Sequence, residues 1–460
     1  MFEDVGRTST GAWLAGCAAT TLAVGVAVLG CAGLGYTWWT RVPSVAPPST
    51  YGWVVPPERR SLGGVDLEQV HRQGWVQWVL TRDDRARVTR EIVASVAADP
   101  GLATIAADLG AQTDASGLGD QVALWNAALA ARGAWWALGA GIDIPTPYVK
   151  AYALVARPTV SFGDRTERVQ VGLRADRLSV VEGWLGLADD VGEAMVVVDR
   201  VADFSADVLW PALDPEDHSP WAPAARAEIA RAVGPDAAAR LTATAPARRR
   251  MVAARDAVDG RRERCGSRFS VRFGWDGLDR LGELYAWADA ERAEGCPGIT
   301  RSEADALARG TLALRADPEL PAAFERLVGF AARHVVVHEA RHQLDHGDWG
   351  MGVPPPSDTA PIDGRARIEA SAYLAALTSD EALVAWVQGC ELVQRSSGGS
   401  AYTALVAIGR AMSTSCDAAP PPDLAERARR VHDSWFGPAP VITVTDLPPA
   451  LPFAMAPFTE

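Results

Sequence analysis

The sequence predicts an α+β protein that is predominantly helical, with an N-terminal transmembrane helix and a small β-containing region upstream of its C-terminal half. Three observations predict this class. Apolar residues recur at three- and four-residue steps through most of residues 64–145, 222–264 and 278–435, the spacing of helices with one buried face. Runs of strand-forming residues, Ala151–Phe162 and Arg168–Leu173, flank Gly163-Asp164, which reads as a hairpin. From Thr8 to Thr40 there is no charged residue at all.

Taken in order, residues 1–41 form a short tip and the membrane anchor. The apolar core from Gly11 to Trp39 exceeds the roughly 20 residues needed to cross a bilayer. Trp38 and Trp39 suit the interface. Charge does not set the orientation, because Arg7 stands beside Glu3 and Asp4 while Arg41, Arg59 and Arg60 follow the span. Three readings are ordered here: an uncleaved anchor, a lipoprotein acylated at Cys31 within Val28-Leu29-Gly30-Cys31, and a cleaved signal. The anchor leads because no small-x-small site closes a short apolar region. Leu14-Ala15-Gly16-Cys17 comes too early to have an apolar region before it. Residues 42–63, rich in proline and serine, read as a stalk. Residues 64–264 are a mixed helical and β-hairpin region, in which Ala194–Val198 is a buried strand or a helix start. Residues 265–437 form a second, helical domain, with a further possible strand at Ser267–Trp275. Residues 438–460 read as a proline-rich tail.

Composition limits the partners. The chain has 460 residues, 48% of them apolar, enough for one large or two moderate cores. A net charge of −13 argues against nucleic acid or an anionic membrane surface as partner. Lys150 is the only lysine, so arginine richness reflects base composition, and Arg248-Arg249-Arg250 and Arg261-Arg262 read as solvated faces. Cys265, Cys296, Cys390 and Cys416 form no C-x-x-C pair, which argues against a cysteine zinc site. Four cysteines allow two disulfides in three pairings. Nearest-neighbour pairing, Cys265–Cys296 and Cys390–Cys416, favours a domain outside the cytoplasm.

Four of the seven histidines, His334, His338, His342 and His346, stand at four-residue intervals. His338-Glu339-Ala340-Arg341-His342 is an H-E-x-x-H signature. On a helix the two histidines lie one turn apart on one face and can share a metal, with Glu339 beside them to take a proton from a metal-bound water. Phe324, Leu327, Val328, Ala331, Val335 and Leu344 supply the buried stripe of that helix, from about Pro321 to His346, with Gly347 as its stop. His334 and His346 lie about 6 Å along the axis from their neighbours. One ion cannot take all four rings, so these two belong to the surroundings or the surface.

The segment resembles the gluzincin group of zinc metallopeptidases over about residues 320–420, in which H-E-x-x-H is joined by a glutamate from a later helix. Here that glutamate is Glu369, in Arg365-Ala366-Arg367-Ile368-Glu369-Ala370. Arg341 departs from the usual uncharged middle position. The resemblance implies a zincin-like domain over 265–437, Zn2+ as cofactor held by His338, His342 and Glu369, and Glu339 as general base. It also implies a polypeptide substrate. Tyr373 is the candidate transition-state stabiliser, with Tyr402 and His432 as others. Among the other acids, Asp345 points along its own helix and Asp363 is placed to cap the next one. A metzincin pattern is absent, since no glycine and third histidine follow at the required spacing. A membrane-embedded peptidase fits badly with Glu325, Arg326 and Arg333 on the motif helix. The expected function is that of a membrane-tethered zinc metallopeptidase outside the cytoplasm. The alternatives are a zinc hydrolase of another bond and an inactive zincin-like binding or structural envelope protein.

Overall fold

The computed structural model describes residues 53–112, 115–141, 148–176, 185–187, 193–264, 300–350 and 352–455. The expected span over Thr8–Thr40, Cys31, the first half of the stalk, Cys265, Cys296 and the possible strand at Ser267–Trp275 lie outside the described residues. Among the described residues no helix is long and apolar enough to cross a membrane. Gly52–Glu460 forms one compact unit, so the boundary expected at residue 264 does not separate two bodies. The end of the expected stalk also belongs to this unit. Pro57–Arg60 is a helical turn, and Ser61–Leu62 (β1) pairs with Val65–Asp66 (β2).

Helices α1 (Arg85–Ser95), α2 (Pro100–Gly110) and α3 (Ala115–Ala131) follow a helical stretch ending at Leu80. Their apolar faces enclose Trp75, Trp78 and Trp125, all 0% exposed. His71 completes this core as a neutral ring. Its Nδ1–H donates to the Leu67 carbonyl at 2.8 Å, and the Trp125 indole N–H donates to its Nε2 at 3.3 Å.

A seven-stranded sheet comes next: β3 (Trp136–Gly141), β4 (Tyr148–Ala156), β5 (Thr159–Phe162), β6 (Arg165–Arg174), β7 (Gly186–Leu187), β8 (Ala194–Val197) and, from the chain's end, β9 (Ile442–Thr445). The hairpin turns at Gly163-Asp164 as its residues predict, and β6 pairs antiparallel with both β5 and β4. On its other edge β6 takes β8 in parallel, and β8 takes β7. Ala194–Val198 is both things expected of it, a strand that passes at Val198 into α4 (Val198–Phe204). Two readings need correction. Trp136–Gly141, read as helical, is a strand, because its run is buried on both faces and shows no alternation; pairing with β4 decides its state. The supposed tail carries β9, which pairs with β5, and Leu447, Leu451 and Phe453 are buried. Phe453 meets Phe324 edge-on, and the Leu451 N–H donates to the Glu325 carbonyl at 3.0 Å. This segment straps the motif helix.

The remaining helices are α5 (Ala222–Val233), α6 (Pro235–Arg264), α7 (Arg301–Arg315), α8 (Leu320–Trp349), α9 (Gly364–Thr378), α10 (Ala382–Arg395), α11 (Ser400–Ala411) and α12 (Leu424–Phe436). The motif helix α8 packs on β6, β8, α5, α6 and α9, which is why more than half of its residues are buried, His334, Glu339 and Asp345 among them. It runs past Gly347 and stops at Gly350, whose φ of 92° and ψ of 157° leave the helix in a region that glycine enters freely. Arg248 is not on a solvated face. It is 2% exposed, donating from Nε to the Ala206 carbonyl at 3.0 Å and from Nη2 to Asp207 at 2.8 Å, where a π turn over Ser205–Leu209 presents both.

Cys390 on α10 and Cys416 after α11 form a disulfide, 26 residues apart. Cross-linking a loop of this length stabilises by about 3.5 kcal/mol through the unfolded chain. Replacing both cysteines by alanine should lower the denaturation midpoint accordingly, and thiol labelling of the unfolded wild-type chain should leave this pair unmodified. Label found on Cys390 or Cys416 by peptide mapping would contradict the bond.

Candidate metal centre

The histidine pair and the third carboxylate come from two helices packed against each other. One turn of α8 separates His338 from His342, and both face α9, whose buried residues include Ala366, Ala370, Ala372, Ala375 and Ala376. Small side chains there allow the close approach that brings Glu369 within reach. Glu369 Oε2 lies 3.8 Å from His338 Nε2 and 3.7 Å from His342 Nε2, and the two nitrogens are 3.1 Å apart. Ligands about 2.0–2.1 Å from a tetrahedral ion stand about 3.3 Å from one another, so the three atoms have the spacing a zinc ion needs. Among the described residues this is the one group of three possible ligands close enough to share an ion, all within 4.8 Å. Two lone pairs facing at 3.1 Å repel unless a proton or a cation lies between them, and the donor set of two imidazoles and a carboxylate suits zinc.

The surroundings set the charge states. Burial, with His342 and His334 beside it, pushes His338 well below its ordinary value and keeps it neutral, as a ligand must be. Burial acts the same way on His342, but Glu369, Glu339 and Asp345 outweigh it and hold that ring above its ordinary value. A cation is welcome where so much negative charge converges.

Glu339 is 6% exposed on the same helix. It packs under β7: a methyl group on Gly186 would fall 2.4 Å from the Glu339 Cγ and 2.6 Å from its carboxylate. Only glycine lets that strand lie so close. Tyr373, one turn beyond Glu369, stacks edge-on against His338 with ring centroids 4.5 Å apart. Burial raises its pKa first and the charges of Glu369 and Glu339 raise it further, against a hydrogen bond from Gln388. The phenol therefore keeps its proton at neutral pH.

The other expected residues fall outside this constellation. Asp345 is buried at 1% exposure and pairs with Arg341 at 3.0 Å. Asp363 stands at the N-cap of α9 as expected, yet its side chain makes no capping hydrogen bond. His334 is wholly inside the protein, against Phe204. His432 donates from Nδ1 to the Gly437 carbonyl at 3.0 Å and is occupied there. Gly186 and Gln388 carried no sequence signal, since neither lies at a fixed spacing from the motif.

His71 and His432 make acid a destabilising agent. Burial first depresses both to about 4, opposed at His71 by the Leu67 carbonyl and reinforced at His432 by the Arg341 charge. The unfolded chain, with histidines near 6.5, binds more protons between the two values. Stability is thus full above pH 6.5 and is lost as pH falls toward 4, by up to about 2.7 kcal/mol per pH unit for the pair. Denaturant titrations from pH 7 to 4.5 measure this slope. His334, which burial also depresses to about 4, adds an equal share, so His71→Gln should remove about a third of the measured slope.

Comparison with known protein families, with curated proteins and with solved structures finds no match for this chain.

Proposed function

We propose that the chain is a metal-dependent hydrolase. More particularly, it is a membrane-tethered zinc metallopeptidase whose catalytic part lies outside the cytoplasm. One observation carries the reading: three ligand atoms from two helices converge at zinc spacing beside a buried glutamate on the same helix as the histidine pair. Zinc, when bound, acidifies a water molecule and polarises a carbonyl group. His338, His342 and Glu369 would hold the ion. Glu339 takes the proton from the attacking water and returns it to the departing amine. Tyr373, protonated and within the same pocket of charge, donates to the oxygen that becomes negative.

A polypeptide substrate is what the likeness of His338-Glu339-Ala340-Arg341-His342 to the zinc metallopeptidase motif supports. The strand β7 lies against Glu339 and borders the site. The disulfide supports a location outside the cytoplasm, and the charge-free N-terminal stretch supports the tether.

Metal content tests the reading. The purified full-length chain should carry about one zinc per molecule, as a single three-ligand site holds one ion, and His342→Ala should carry almost none. Equal metal in both proteins would remove the site from this location.

A further inference from the structure

The motif carries an arginine between its histidines, and the chemistry proposed above gives it no task. The Arg341 Nε–H donates to the Ser371 hydroxyl on α9 at 2.9 Å. The same nitrogen lies 3.0 Å from Asp345 Oδ1, one turn further along α8. Ser371 is 0% exposed and Asp345 1%. A buried ion pair is a weak source of stability, because desolvation offsets the attraction. Its hydrogen bond to Ser371, two residues beyond Glu369, points to a geometric role.

The interface explains why one is needed. Half of the buried residues of α9 are alanines, Ala366, Ala370, Ala372, Ala375 and Ala376, set among Ile368, Ser371, Tyr373, Leu374 and Leu377. Small side chains let helices approach closely but form shallow ridges, so little resists a roll of one helix over the other. Side-chain tips stand about 6 Å from a helix axis, so a roll of about 20° carries the Glu369 carboxylate about 2 Å, a full zinc–oxygen bond length. Ser371 leaves the same helix about 200° around from Glu369. Holding Ser371 in place therefore fixes the angle at which Glu369 points.

We propose that Arg341 is a positioning residue, braced by Asp345 on its own helix and bonded to Ser371, so that α9 is locked at the rotation that delivers Glu369 to the two histidines. The inference rests on the metal-centre reading, and its test separates the two.

Zinc affinity of the full-length chain in mild detergent is measured by competition with a chelator, alongside thermal unfolding of the metal-free protein. Ser371→Ala puts a common helix residue at this position and removes the hydroxyl's bonds to Arg341 and Asp345 while keeping both members of the ion pair. It should weaken zinc binding about 10- to 100-fold, the usual effect of losing a group that orients a ligand, while the metal-free unfolding temperature moves by less than about 4 °C. The double variant Arg341→Leu/Asp345→Leu removes the brace without leaving a lone buried charge, and should weaken zinc binding to a similar extent. Wild-type zinc affinity in either folded variant overturns the positioning role. A wild-type chain that takes up no zinc overturns the metal-centre reading instead, and that result is seen before any variant is compared.

Discussion

Glu339→Gln should retain zinc and lose at least about 10³-fold in turnover, the upper range for removal of a general acid–base group, or about 4 kcal/mol of barrier. The substitution keeps the shape of the side chain beneath β7, where Gly186 leaves no spare room, so folding and metal binding should persist. It removes the acceptor for the water's proton. The measurement pairs cleavage of an unfolded protein substrate with metal content of the same preparation. Near-normal turnover would refute the catalytic role of Glu339 even with zinc in place. A loss of zinc together with activity would mean that the residue serves the metal's surroundings and not the chemistry.

Glu369→Ala should all but empty the metal site. Tight zinc sites in proteins draw about 10–16 kcal/mol from their ligands, so one of three is worth about 3–5 kcal/mol, or about 10²–10⁴-fold in affinity. The carboxylate is 3.7 Å and 3.8 Å from the two imidazole nitrogens, and no other carboxylate among the described residues completes the group. Two controls separate ligation from general disturbance. Asp363→Ala removes a side chain that makes no capping bond, and Glu381→Ala removes one held near Arg333 at 3.9 Å. Both should bind zinc as the wild type does. Undiminished binding by Glu369→Ala would pass the third ligand to another residue.

The parts of the fold that were legible are those written into short stretches. The stripe Phe324, Leu327, Val328, Ala331 and Val335 is buried as its spacing predicts, and the helix it marks begins at Leu320 beside Pro321. The Gly163-Asp164 turn joins two strands in register because a glycine there accepts a left-handed backbone. Where reading failed, the missing information lay far along the chain. Trp136–Gly141 becomes a strand because β4 covers its edge, and residues 442–445 become a strand because β5 does. Arg248 sits in a basic run that looks solvated until the carbonyl of Ala206 and the carboxylate of Asp207 are brought over it from about forty residues upstream.

The sequence by itself determined the half of the site that a single helix can build. Helical geometry puts His338 and His342 one turn apart and Glu339 beside them, whatever surrounds the helix. Only the tertiary structure decided the other half. Glu369 reaches the histidines because α9 packs on α8, where a hydrogen bond also joins Arg341 to Ser371. Glu339 is enclosed because Gly186 admits a strand against it. Spacing within a helix follows from local backbone hydrogen bonds. Contact between helices, or between a helix and a strand, follows from which surfaces bury best against each other, and that is a property of the whole folded chain.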